Sequence, residues 1–522
     1  MPPRPPSDPG ALSRGLAGAA LLLTALHLLR FSDPSFTLDD AWISFRVART
    51  WWETGLLTFD ASRPPVEGMT NLLWTLLSAI WVVALPRVDP IGPARLVGAL
   101  CHLGALLLLM RAASRLAARW GGRPLLAAGL AGLLSAASGS AAFHAMSGLE
   151  TPLCLLLLAG ALERGLAALE DARRSPALLC GLCLGLGFAT RPEGALLGLL
   201  LLGVLALRSV RTAAIAALPF GAVGFLVQGF RLWTWGQWLP NTFYAKPPSL
   251  AMGLGYVADA ALYVAGGGLA LLALLPALRH RLGGALLAAI LGLALAVAWS
   301  GGDWMPGFRR LETAALLLHV LVGASLSTLR TARGVGAGLG ALGLLGMLGG
   351  SLLAALHGRD AAPYPYDLQA RLGEAAARTP EVRRVATFDI GRFGWAFPGS
   401  IFDLGGLTDT RIGRSEGVHG EKKWDEAYFR EQSPELAIAT ALSPLSPLPS
   451  GPIRFRLVDQ DLVLSIQRHG GYRLHVCVPV QEDQWVLVFR RLDVVLDPTI
   501  WGDECTVLAD FLTGRRAPGP PD

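Results

Sequence analysis

Charge is scarce in this sequence: 16% of its 522 residues are Asp, Glu, Lys or Arg, against 52% hydrophobic residues. With a mean hydropathy of +0.46, that shortage excludes a soluble globular enzyme, a disordered chain and a coiled coil. Cysteine is also sparse. Of six, Cys101, Cys154, Cys180 and Cys183 fall in apolar stretches where a thiol is packing material. The CxxC of Cys180 and Cys183 has no second CxxC or His pair to complete a metal site. Cys477 and Cys505 stand in the polar tail and are able to pair if it lies outside the cytoplasm. No basic face interleaved with aromatics is present, so the net charge of +6 does not point to nucleic acid. No small-residue cleavage site precedes Arg30 and Phe31, and the apolar run to Leu29 reads as a retained first helix. An internal repeat of the kind found in inverted-repeat transporters is missing too.

What the sequence does have is apolar runs of about 20 residues, the length that crosses a roughly 30 Å hydrocarbon core as helix. Eleven are expected, near 15–31, 91–110, 124–140, 151–169, 176–190, 194–208, 212–230, 255–278, 282–299, 311–328 and 334–356. The stretch from Asn71 to Leu85 reads as a short helix at the outer surface, because a crossing there would turn Arg111, Arg115, Arg119 and Arg123 outward. With the N-terminus inside, the Arg-rich loops at 111–123, 171–174, 208–211, 279–281 and 330–333 all face the cytoplasm. The same parity places 32–90, 140–150, 191–194, 231–254, 300–310 and everything after about 357 on the periplasm-like side. The expected fold is a polytopic α-helical membrane domain over 1–356, with juxtamembrane helices in its 32–90 loop, and a soluble extracytoplasmic α/β domain over 357–522. In that tail, Tyr472 to Val478 alternates like a strand, 443–452 reads as a loop and 515–522 as a disordered end.

The chemistry-bearing residues collect in the outer segments. Asp39 and Asp40 follow the first span and open a helical pattern that puts Arg46 and Arg49 on one side. Helix capping would account for such acids. Their position at the mouth of a membrane bundle, beside arginines, also suits sugar transfer from a lipid phosphate. Such a donor carries a good leaving group, so the reaction needs one carboxylate as general base and cations for the phosphate. Adjacent helical residues point about 100° apart, so the two acids do not share one role. Asp40, or else Asp39, is the expected base. Arg46, Arg191, Lys246, Arg309 and Arg310 are the expected phosphate grip, and Glu67, Asn71, Glu150, Glu193, Asn241, Tyr244 and Asp303 the expected sugar or acceptor contacts. Glu150 and Glu193 double as first-turn acids, while Trp233, Trp235 and Trp238 read as interfacial anchors. Asp389, Asp403 and Asp409 lie in Gly-rich turns and read as turn formers, and His144 and His419 are lone histidines. No resident metal is implied, although Asp39, Asp40 and Glu67 are the oxygen ligands available to a divalent cation.

In this order and spacing, LDDAWISFRVAR, VEGMTN, SGLETPL, RPEG, PNTFYAK and SGGDWMPGFRRLE resemble a bacterial family. It includes the mycobacterial terminal arabinofuranosyltransferase AftB and proteins labelled flagellar motor control protein ZomB, and it is similar to the GT-C glycosyltransferases. The resemblance covers about residues 30–315 and, more loosely, FDIGRFGWAF and IFDLGGLTD in the tail. It implies a multispan enzyme that uses a polyprenyl-phosphate sugar donor and keeps acids of the first outer loop at its catalytic centre, a place matched by Asp39 and Asp40. Met69 replaces the family's usual aromatic after VEG, and Arg310 adds a second Arg where related sequences vary. Sugar and acceptor identity, arabinose above all, therefore need not carry over. The expectation is a GT-C-like hexosyl or pentosyl transferase of the inner membrane, working at the outer leaflet on a cell-envelope glycan, lipid or protein. Its partners are membrane lipid, donor and acceptor, with no nucleic acid. The alternatives are a transporter or flippase for a lipid-linked sugar, which needs ionisable groups at mid-span positions that read as almost uniformly apolar, and a non-catalytic scaffold affecting motility or envelope assembly.

Overall fold

The computed structural model describes residues 11–171, 173–329, 335–359, 361, 366–442, 454–481 and 484–502. The 330–333 and 443–452 loops, Cys505 and the 515–522 end lie outside the described residues. Leu- and Ala-rich runs with few β-branched residues form helices readily. Among the described residues, seven helices are long and apolar enough to cross a membrane: Ala11–Arg30, Ile91–Arg119, Thr151–Ala168, Val210–Trp235, Arg281–Ser300, Arg309–Ser327 and Gly336–Leu356. Pro124–Ala137 and Gly139–Met146 make an eighth only as a pair, bent by 62° at Ser138. Ser175–Thr190, Gly194–Ala206 and Leu250–Tyr263 coincide with expected spans but are shorter. Small residues let these helices approach closely: a Cβ on Gly181 would lie 1.8 Å from the Ala216 carbonyl oxygen, and one on Gly253 1.9 Å from that of Ala298.

Three expectations change. The span near 255–278 is broken, because Gly266, Gly267 and Gly268 take φ of 59°, 66° and 87° between the Leu250–Tyr263 and Ala270–Leu274 helices. Trp235 is no interfacial anchor: it is 8% exposed and its indole N–H donates to the Leu57 carbonyl at 3.0 Å, whereas Trp233 and Trp238 are exposed. The bundle interior is not uniformly apolar either. Buried His102, Glu312 and His319 gather within it.

The tail carries a five-stranded sheet made of β1 (Arg384–Thr387), β2 (Ser400–Asp403), β3 (Leu436–Ala441), β4 (Tyr472–Gln481) and β5 (Gln484–Arg491). Their spatial order is β2-β1-β3-β5-β4, with β1 parallel to both β2 and β3, and β5 antiparallel to both β3 and β4. Cys477 on β4 is disulfide-bonded. The tail is not tethered by its linker alone. Ile43 and Val47 of the Asp39–Thr54 helix, with Leu57 and Phe59, share one core with Ile390, Phe393 and Phe397 of the tail. Each fully buried large side chain there stabilises the contact by roughly 1.5–3 kcal/mol.

Candidate active site

The Asp39–Thr54 helix begins without a side-chain cap, and Asp39 and Asp40 in its first turn face the dipole's positive end. The two carboxylates then diverge. Asp39 is buried and accepts the backbone N–H groups of Gly391 and Arg392, both at 2.8 Å. It thereby holds the N-terminus of the tail's Gly391–Ala396 helix. Burial and the nearby Asp389 charge push the Asp39 carboxyl up to about 7, opposed by those two amides. Asp40 is half-buried and makes no hydrogen bond or ion pair with any other described residue. Its charge acts on Arg309.

Arg46 lies apart from the other arginines expected to grip phosphate. It is 4% exposed, and its guanidinium donates to the carbonyls of Phe59 (2.9 Å), Gly394 (2.6 Å), Phe397 (2.9 Å) and Gly399 (2.8 Å) while covering the Phe59 ring. That network leaves it no role at a phosphate; it docks the tail. Glu67 is likewise engaged, by Arg231 through Nε (2.6 Å) and Nη2 (3.1 Å). Asn241 Nδ2 donates to the carbonyls of Gly406, Leu407 and Asp409, and Tyr244 lies under Arg414. Arg231 was not singled out in the sequence, although the rule that marks Arg191, a cation on the outer side, also marks it. Asp403 and Asp409 are turn formers as expected: Asp403 accepts the Gly405, Gly406 and Thr408 amides, and Asp409 those of Arg411 and Ile412.

The remaining residues meet. Asn71 accepts from Ser44 and Thr75 and donates to Glu150 at 2.9 Å; Glu150 binds Arg191 at 2.7 Å; Arg191 and Arg310 converge on one Glu193 oxygen at 3.2 and 3.0 Å. Beside them Arg309 pairs with Asp303 at 2.8 Å. Burial alone would raise both Glu193 and Asp303, but the arginines outweigh it and hold each carboxyl below its usual range; Lys246 adds to the effect on Asp303. Lys246 is half-buried and, like Asp40, makes no hydrogen bond or ion pair among the described residues. Arg191, Glu193, Arg309 and Arg310 line one cleft together with Leu196, Leu197, Leu293, Ala296 and Val297. Guanidinium groups on an otherwise apolar cleft are complementary to an anionic headgroup with a hydrocarbon chain. His144 is fully buried beside this cluster, within reach of the Arg309, Asp303 and Arg191 charges. Among the described residues no three His, Cys, Asp or Glu side chains gather to hold a metal ion; Asp39 and Glu67 face other partners.

Residues 360–498 match a family model described as Domain of unknown function (DUF8728). No curated protein matches the chain by sequence. Among solved structures, the chain is similar to ArnT from Cupriavidus metallidurans bound to undecaprenyl phosphate, with 15% identity, a TM-score of 0.55 and coverage of 92% of this chain and 98% of that one. It is also similar to the apo oligosaccharyltransferase of Archaeoglobus fulgidus, with 13% identity, a TM-score of 0.52 and coverage of 82% and 70%. The oligosaccharyltransferase AglB from Archaeoglobus fulgidus, in complex with an inhibitory peptide and a dolichol-phosphate, gives 12% identity, a TM-score of 0.50 and coverage of 81% and 69%. These likenesses concern the fold: a polytopic helical membrane bundle with a C-terminal α/β domain.

Proposed function

We propose that this protein is a glycosyltransferase that moves a sugar from a polyprenyl-phosphate-linked donor to a cell-envelope acceptor at the outer face of the inner membrane. The observation that carries the reading is the cleft lined by Arg191, Arg309 and Arg310 and by apolar side chains, close to Asp40 and Lys246, which make no hydrogen bond or ion pair among the described residues. The GT-C fold and the undecaprenyl phosphate held by ArnT support a lipid phosphate as the occupant. In this reading 1–356 is the catalytic membrane domain and 357–522 an extracytoplasmic domain, and the motif resemblance to the AftB and ZomB family favours a hexosyl or pentosyl donor.

The chemistry follows from the charges. Asp40 takes the proton of an acceptor hydroxyl as its oxygen bonds to the anomeric carbon. The bond from that carbon to phosphate oxygen breaks, and its electron pair leaves with the polyprenyl phosphate, where Arg191, Arg309, Arg310 and Lys246 stabilise it. Glu150, Glu193 and Asp303 hold the arginines in place, and Asn71 supports Glu150. The test is envelope-glycan mass spectrometry on a strain lacking the protein, complemented by wild type or Asp40→Asn at matched membrane abundance. One missing glycosyl increment, restored by wild type alone, is the expected result. Full restoration by the variant refutes the base assignment and favours a scaffold. The other alternative, a transporter, draws on buried His102, Glu312 and His319 in the bundle; accumulation of an unflipped lipid-linked sugar without loss of an increment would select it.

A further inference from the structure

The tail sheet has a switch point on the side that meets the membrane domain. The chain runs from β1 to β2 on one side and then to β3 on the other side of β1, so the connections leave β1 and β3 in opposite directions. In sheets of this kind the carboxyl ends of the strands at such a point flank a ligand crevice. Here those ends are turned toward the membrane domain. The segment after β1 delivers Gly391 and Arg392 to Asp39, and the segment after β2 delivers the Gly406, Leu407 and Asp409 carbonyls to Asn241.

At the switch point Arg456 spans the two strands. Its Nη1 donates to Asp389, two residues past β1, at 3.1 Å, and its Nη2 to Thr440 near the end of β3 at 2.9 Å, while Nε binds Asp459 at 2.5 Å. Phe388 lies against the guanidinium at 4.4 Å and His419 against Phe388 at 4.9 Å, which fixes Arg456 in place. The side chains of Asp389 and Arg456 each remain 25% exposed. Nη1 also reaches the second Asp389 oxygen, at 3.2 Å, so one Nη2 N–H remains to donate and each Asp389 oxygen keeps a lone pair. Two carboxylates facing one guanidinium disfavour a phosphate. An acceptor carboxylate beside a donor guanidinium instead matches adjacent hydroxyl groups, which both donate and accept. The Asp389 charge acts on Asp39, next to the proposed base.

From this geometry we infer that Asp389 and Arg456 form the subsite for a hydroxyl-rich sugar acceptor, presented by the tail to the membrane cleft; this rests on the transferase reading. The experiment uses full-length protein in lipid nanodiscs, with methyl hexopyranosides and methyl pentofuranosides as probes in saturation-transfer NMR, and undecaprenyl phosphate as the probe of the cleft. Wild type should bind at least one glycoside. Asp389→Asn and Arg456→Lys should each weaken that binding about tenfold or more, while undecaprenyl phosphate affinity stays within about twofold. Unchanged glycoside affinity in both variants, or no glycoside bound by a wild type that binds undecaprenyl phosphate, overturns the inference. A wild type that fails to bind undecaprenyl phosphate refutes the donor reading instead, and glycoside binding lost in both variants would then still support the subsite.

Discussion

Replacing Asp39 and Asp40 one at a time by Asn separates docking from chemistry, because the two neighbours have opposite surroundings. Each oxygen of Asp39 accepts one backbone N–H at 2.8 Å in a buried site. An Asn amide offers one oxygen, so its NH2 faces one of the two N–H groups. The variant loses a charge-assisted hydrogen bond and leaves a buried amide unmet, about 2–3 kcal/mol together. At about 1.4 kcal/mol per decade, this raises the opening equilibrium of the 391–396 segment roughly 30- to 100-fold. Hydrogen–deuterium exchange of the peptide covering Gly391 to Phe397 in nanodiscs reads that change directly. Asp40→Asn removes a charge with no hydrogen bond or ion pair, so exchange should stay at the wild-type level; turnover should fall by about 10²–10⁴, as for loss of a general base. Unaltered exchange in Asp39→Asn, or faster exchange in Asp40→Asn, refutes this division of roles.

Further consequences follow for the cleft. Arg309→Gln removes the ion-pair partner of Asp303, 6% exposed, while Lys246, Arg191 and Arg310 still act on it, and should destabilise the protein by about 1–3 kcal/mol; adding Asp303→Asn should recover the melting temperature but not undecaprenyl phosphate binding. Lys246→Gln, which breaks no ion pair among the described residues, should leave the melting temperature within about 1 °C and weaken undecaprenyl phosphate about tenfold. Asp303 and Glu193 have folded pKa values below their unfolded ones, so their stabilisation is present above the unfolded pKa and is lost as pH falls through the folded one. From these two groups, thermal stability should be flat from pH 8 to 5 and drop only under stronger acid; Asp303→Asn should shrink that drop, and an unchanged acid limb would show that other groups set it.

The sequence by itself settled the class of molecule, since apolar runs of bilayer length and scarce charge admit few alternatives. It also drew attention to polar residues that the fold brings near one another, among them Asn71, Glu150, Arg191, Glu193, Asp303, Arg309 and Arg310, which stand in outer loops where polar residues need a reason. It was unable to separate Asp39 from Asp40, or Arg46 from Arg191, because the same residue types serve a ligand or a distant backbone equally well. Arg46 reaches carbonyls about 350 positions away, and Asp39 caps a helix at a similar separation. Helical periodicity reports the face on which a residue lies and says nothing of what packs against that face. The pairing of Asp389 with Arg456, 67 positions apart, arises in the same way, from strand order. Local pattern determined the elements, and tertiary packing alone decided which charges meet a partner among the described residues.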